Sequence, residues 1–482
     1  MIHRFVLALV LVCTISVGNA FAARKWFVVE SKNFCIYSDG TVKEVEGLAI
    51  KLERYRQLIA RLYKLTPTSE PLSIIAFRNP YVFAKFRPYL GDQQVVLGYN
   101  LNAGIEDVVA LALYDHGRAQ QIVMLHEAFH ALTQASENGW PHWLNEGSAE
   151  VFSTMEERDG AVILGIPRLD YVKKLRKSGL FPMKDFVEGG AESLPIFYPQ
   201  AWAVTHWLTC ADHGARLDAL RNFLKLLRDG IEETNAFQQA FGIAPEAVQK
   251  VVENYLHNEE LPMWKFPLSS VEPESSTLTN HPISDAKRDC IFGNLMLSKM
   301  DLKQAESYFK QAYAREPDLP SALEGLGFVV SRRDQTSVAR RYFEKAIAQN
   351  SNNYRPYFFY ACVLFEEHSK KQHFAESVPH ETAVAMVSSL KKAIALRPTF
   401  PDAYELLARL TLNPGEDPGE GLKLVKLALQ FRPGNRWFLL TEAKLQMRSG
   451  DFAAARQTLK PVLITRHPEL KKEAIAFSAE LQ

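Results

Sequence analysis

The sequence predicts an α+β domain followed by an all-α superhelix of repeated helix pairs. Three observations carry that expectation. Up to about residue 265, a few short β-branched runs give way to long stretches of helical periodicity. From about residue 285 onward, small and aromatic residues recur at a fixed interval of 34 positions. The chain is also too long, at 482 residues, for one hydrophobic core. Its composition, 47% hydrophobic and 23% charged, is that of a globular protein. Lys and Arg number 56 against 55 Asp and Glu, a formal net charge of +1. That balance excludes a bulk electrostatic footprint for nucleic acid and a polybasic membrane patch.

The first 22 residues read as a signal peptide. His3 and Arg4 form a polar start, Phe5 to Val17 an apolar stretch, and Ala20-Phe21-Ala22 a small-x-small cleavage pattern. An exported protein, periplasmic or secreted, is therefore expected. Nothing after the leader approaches the apolar length of a membrane span. Cys35, Cys210, Cys290 and Cys362 remain; they are scattered, without a CxxC pair, and read as small core residues with no catalytic part.

Residues 24–265 form the first domain. Trp26 to Glu30 and Phe34 to Tyr37 read as strands around the turn Ser31-Lys32-Asn33. Val45, Leu48, Leu52, Tyr55, Ile59 and Leu62 put one apolar face on a helix from Lys43 to Tyr63. Leu72 to Phe77, bounded by Pro71 and Asn79-Pro80, is a further strand, and Val95 to Leu97 and Val108 to Tyr114 are others. From Ala119 the pattern is helical in two segments broken at Asn138-Gly139-Trp140-Pro141. Tyr198 to Leu227 and Pro245 to Leu256 complete a helical second half.

Residues 266–284, with Pro267, Pro273, Pro282 and a Ser-rich run, read as a linker. After it, Gly293, Ala305, Phe309, Ala312 and Pro317 return as Gly327, Ala339, Phe343, Ala346 and Ser351. Small residues let two helices of a unit approach, and the Phe fills the gap to the next. A third unit fits Tyr357, Tyr360, Ala361, Leu364, Ala393 and Pro398, with an insertion around Glu366 to Pro379. A fourth fits Tyr404, Leu407, Ala408, Ala428 and Pro433, and a degenerate fifth runs from Trp437 through Ala453. The pattern resembles the tetratricopeptide repeat, which implies four to five units over residues 285–482 and a protein partner bound through them.

The chemistry-bearing motif is His126-Glu127-Ala128-Phe129-His130, an HExxH pattern. On a helix, positions i and i+4 share a face, so both imidazoles can reach one tetrahedral metal. Glu127 then sits where it can take a proton from a metal-bound water. A third ligand is offered by Trp143-Leu144-Asn145-Glu146-Gly147-Ser148-Ala149-Glu150. HExxH followed by W-L-N-E-G-x-A resembles the gluzincin metallopeptidases, especially the M1 aminopeptidases and the peptidase-MA-like group of the DUF1570 type. The resemblance implies one zinc held by His126, His130 and Glu146, with Glu127 as general base. Fifteen residues separate His130 from Glu146, fewer than in the aminopeptidases, and Glu150 lies one turn farther on the same face. Spacing leaves the choice of carboxylate open; the surrounding motif favours Glu146, which gives Glu150 the task of orienting a ligand histidine.

Tyr198-Pro199-Gln200-Ala201 resembles the aminopeptidase segment whose Tyr donates to the oxyanion, which makes Tyr198 a second catalytic candidate beside Glu127. His142 lies close to Glu146 in sequence; His142, His116 and His206 stay outside the site as structural residues. No G-x-M-E-N segment for gripping a free N-terminus is found, so an endopeptidase acting on a peptide or protein substrate, or an amidase acting on an envelope component, is expected. Two other readings stand beside it. One is an interaction scaffold whose zinc domain is inactive or regulatory. The other is a role like that of the M48-type envelope quality-control proteases, which also pair HExxH with such repeats.

Overall fold

A computed structural model describes residues 25–64, 71–87, 98–102, 107–113, 117–133, 139–273, 277–349, 351–369, 378–465 and 467–481. The leader, the candidate strand Val95 to Leu97 and His116 lie outside the described residues.

The chain opens with β1 (Phe27–Glu30) and β2 (Phe34–Ser38), then α1 (Val42–Tyr63), β3 (Leu72–Phe77), α2 (Pro80–Phe86), β4 (Gly98–Asn102) and β5 (Asp107–Ala112). Thr41 caps α1 by accepting from the Glu44 amide, and Asn79 followed by Pro80 starts α2. Next come α3 (Arg118–Thr133), α4 (His142–Ser153), β6 (Glu156–Arg158) and β7 (Ala161–Leu164). The helical half holds α5 (Leu169–Ser178), α6 (Met183–Val187), α7 (Phe197–Thr209), α8 (Leu217–Arg228), α9 (Glu233–Phe241) and α10 (Pro245–Leu256). Two strands close it, β8 (Trp264–Pro267) and β9 (Thr279–Pro282).

Six strands form one sheet in the order β4-β5-β3-β2-β1-β9. β2, β3 and β5 are parallel neighbours, whereas β1, β4 and β9 join antiparallel. The parallel centre follows from the crossover through α1, so the domain is less cleanly segregated than the α+β expectation. Both faces are buried. Ile36, Ile74, Ala76, Val109 and Leu111 point to the core shared with α1, α3 and α4. Ile75, Phe77, Val108, Ala110 and Ala112 point the other way, into a second core.

The reading of residues 266–284 as a linker is corrected by this sheet. β8 pairs with β7 in a second, three-stranded sheet, and β9 pairs with β1 from Phe27↔Pro282 to Glu30↔Thr279. An edge strand needs only backbone pairing, so the polar, Pro-flanked Thr279–Pro282 carries no sequence signature of its own.

The array comprises the hairpins α11 (Asp285–Ser298) with α12 (Leu302–Arg315), α13 (Pro320–Ser331) with α14 (Thr336–Ala348), and α15 (Arg355–Ser369) with α16 (His380–Leu396). It continues with α17 (Pro401–Leu410) and α18 (Pro418–Phe431), α19 (Arg436–Arg448) and α20 (Phe452–Leu463), and a final α21 (Pro468–Glu480). Its period has a direct steric cause. A β-carbon on Gly293 would lie 2.7 Å from the Phe309 ring, and one on Gly327 would lie 2.7 Å from the Phe343 ring. Phe309 also presses on Gly325 of the following hairpin, so one ring locks two units. These are stacked helix pairs at the interval that the sequence predicts.

The first hairpin is not a separate body. Phe292 meets Trp26 at 5.2 Å and Phe86 at 4.6 Å between ring centroids, and the second core runs from Phe77 through Phe292 to Phe343. The sheet is therefore sandwiched between α1, α3 and α4 on one side and α2 with the start of the array on the other. Among the described residues no helix is long and apolar enough to cross a membrane.

Candidate metal centre

α3 and α4 carry the candidate residues, and α1 fixes both helices. The Tyr55 hydroxyl donates to the Leu125 carbonyl at 2.8 Å, beside His126. Tyr63 shares a 2.7 Å hydrogen bond with Ser148, two residues past Glu146. α4 is buried along all of Trp143–Ser153, which gives its carboxylates defined directions. Against its other side lies α7. A β-carbon on Gly147 would sit 2.3 Å from the Ala201 carbonyl oxygen and 2.3 Å from Thr205 Oγ1, so only glycine admits this approach.

Three side chains converge between α3 and α4. His126 Nε2 and His130 Nε2 are 3.1 Å apart, and Glu146 Oε2 lies 3.4 Å from the first and 3.6 Å from the second. Ligand atoms 2.0–2.1 Å from a tetrahedral ion stand about 3.3–3.4 Å apart, so the three atoms fit around one zinc. Among the described residues this is the group of His, Cys, Asp and Glu side chains that could hold a metal ion.

The electrostatics run in the same direction. Burial alone would lower the His126 imidazole, but its hydrogen bond to Glu146 and the charges of Glu150, Glu146 and Glu127 raise it above the ordinary histidine value. Burial would raise the Glu146 carboxyl, yet hydrogen bonds from His126 and His130 hold it well below the usual carboxylate range. Both imidazole nitrogens and the carboxylate therefore crowd around a place that favours positive charge.

The two acidic candidates face different atoms. Glu146 faces the Nε2 side of both histidines, whereas Glu150 Oε1 lies 3.7 Å from His126 Nδ1. Glu150 is held there by Arg168 Nη1 at 2.6 Å and by the Tyr171 hydroxyl at 3.2 Å. His130 Nδ1 lies 3.0 Å from Asn145 Oδ1, a contact that orients the ring with its Nε2 toward Glu146. Asn145 stood in the motif without a stated task. Arg168 and Tyr171 gave no local signal, because they reach Glu150 from α5 and the residue before it.

Glu127 adjoins His126 on the half-buried face of α3 and contributes negative charge to both His126 and Tyr198. Tyr198 is the second residue of α7 and 45% exposed. Burial and the charges of Glu146, Glu150 and Glu127 push its hydroxyl up to about 12, so it keeps its proton at neutral pH. His142 lies at the rim, its ring stacked on Phe197 and its Nδ1 3.8 Å from Glu146 Oε1. His206 is fully buried and structural, bonded to Tyr255 at 2.6 Å and the Gly165 carbonyl at 2.8 Å. Cys35, Cys210, Cys290 and Cys362, the cysteines among the described residues, are free thiols; burial pushes Cys210 up to about 12 and Cys290 up to about 11.

No family model and no curated protein matches the chain. Solved structures similar to part of it include two described as TPR proteins. YrrB, described as a TPR protein with an unusual peptide-binding site, is 20% identical over 40% of this chain and 92% of its own, with a TM-score of 0.32. TTC0263, a TPR protein of Thermus thermophilus, is 14% identical over 40% of this chain and 99% of its own, with a TM-score of 0.32. PilF of Pseudomonas aeruginosa is 17% identical over 41% of this chain and 90% of its own, also at 0.32. Such scores add nothing to the assignment of the array, which rests on its own hairpins and their 34-residue steric repeat.

Proposed function

We propose that the chain is an exported, zinc-dependent metallopeptidase of the gluzincin kind, with the helical repeats docking a protein substrate or partner. The observation that supports it best is the convergence of His126 Nε2, His130 Nε2 and Glu146 Oε2 at 3.1, 3.4 and 3.6 Å, with Glu127 beside them. Zinc held by His126, His130 and Glu146 would polarise the scissile carbonyl and lower the pKa of water there. Glu127 would serve as the base that takes a proton from water and returns it to the departing amine. The Tyr198 hydroxyl, protonated at neutral pH, donates to the oxyanion that forms at the scissile carbonyl. Asn145 orients His130, and Arg168 keeps Glu150 beside His126.

The test is hydrolysis of unfolded protein substrates by the zinc-loaded chain and by Glu127→Gln. The expected result is a loss of at least about a hundredfold in rate with zinc retained, in line with the usual share of a general base. Equal rates would refute the assignment of Glu127. A second reading is supported by the repeat array itself, whose helices run from Asp285 to Glu480. There the array is the working surface and the zinc site is structural or regulatory. Zinc binding without hydrolysis of any peptide bond would favour it.

A further inference from the structure

The array leaves the first domain at the far face of the sheet, where Lys299 Nζ also donates to the Arg87 carbonyl at 3.1 Å. A solenoid anchored only there would end in solvent. Instead its fifth hairpin meets the first domain again, at two places. At the start of α19, the Arg436 guanidinium lies 3.9 Å from where a β-carbon of Gly139 would be. In α20, Pro461 packs on Gly230: a β-carbon there would lie 2.9 Å from Pro461 N and 3.2 Å from its Cα.

Both partners of the second contact are unusual for their setting. Pro461 sits inside a helix, where it removes a backbone hydrogen bond, and it is buried. Having no N–H, it can be covered by another backbone without stranding a donor. Gly230 combines a φ of +83° with that close approach, so a side chain is excluded on two grounds. The first contact is placed where it matters chemically. Gly139 lies in the connection between α3 and α4, the two helices that carry His130 and Glu146.

We propose that the fifth hairpin is a strap that closes the array onto the first domain. Closed, it braces the α3–α4 connection and holds the two helices at their present spacing. Opening of the superhelix, as a bound partner would impose, lifts the strap and loosens that connection. Array occupancy is thereby coupled to the His126, His130 and Glu146 cluster. The strap itself stands on geometry alone; its regulatory meaning rests on reading that cluster as a metal centre.

The experiment uses the full-length chain and two variants, Pro461→Arg and Arg436→Glu, alone and combined. Arginine at position 461 restores a helical N–H, so α20 keeps its helix, and Arg436→Glu changes a side chain only. Amide exchange and small-angle scattering are read on each. The expected result is about tenfold faster exchange at residues 139–145 and 229–232 in the double variant, with a larger radius of gyration and unchanged protection in α11 to α14. Unchanged exchange at both connections would overturn the strap. The metal-free parent and His126→Ala are read alongside: faster exchange in the double variant than in the metal-free parent supports the strap whether or not metal binds, so loss of the metal reading and loss of the strap give different patterns. A strap that opens in the double variant without any change in zinc release would overturn the coupling.

Discussion

Gly147→Ala tests the packing that aligns the two halves of the candidate site. The new β-carbon would lie 2.3 Å from the Ala201 carbonyl oxygen, where ordinary contact begins near 3.4 Å. Thr205 can turn its hydroxyl away, but the Ala201 carbonyl belongs to the backbone of α7. α7 must therefore shift by about 1 Å relative to α4, at a site where both helices are buried. Overpacking of this kind costs up to about 3 kcal/mol. Replacing Gly by Ala in mid-helix returns about 1 kcal/mol. The net expectation is a loss of about 2 kcal/mol, measured as a lower urea midpoint of the transition that melts the first domain. Because Tyr198 opens α7, the same shift displaces its hydroxyl from the carboxylates. A variant as stable as the parent, or more stable by the helix-propensity gain, would refute the close approach of α4 and α7.

Two further outcomes are expected. Burial lowers the His206 pKa to about 4 against an ordinary 6.5, despite its bond to the Gly165 carbonyl, so below pH 6.5 the unfolded chain binds a proton that the folded chain refuses. Stability is then lost as pH falls, by about 2 kcal/mol between pH 7 and 5, and His206→Gln should flatten that part of the pH profile in denaturant titrations. Phe292→Ala empties a position wedged between Trp26 and Phe86, at a cost of about 3–5 kcal/mol. Amide protection should fall in both the sheet and the first two hairpins; loosening of the array alone would show that the two do not share a core.

Much of the scaffold was legible because local pattern and tertiary demand agree. The Val45 to Leu62 stripe became the buried face of α1, and Leu72–Phe77, bracketed by prolines, became β3 without change of bounds. β9 was missed because all four of its residues are exposed and polar or proline; it exists through pairing with β1. In the site, spacing delivered His126, His130 and both carboxylates, since an i, i+4 pattern is local. It left Glu146 and Glu150 undivided, because what separates them is which nitrogen of His126 each faces. That direction depends on Arg168, Tyr171 and Asn145. The return of the array to Gly139 and Gly230 was equally invisible: each repeat specifies its neighbour, and the closure is the accumulated geometry of five of them.

The most direct test of the central claim is the zinc content of the purified chain, measured beside His126→Ala, Glu146→Ala and Glu150→Ala. The account predicts one zinc per parent chain, lost on replacing His126 or Glu146 and only weakened on replacing Glu150. Absence of zinc from the parent after exposure to the metal, or retention by Glu146→Ala, would contradict it.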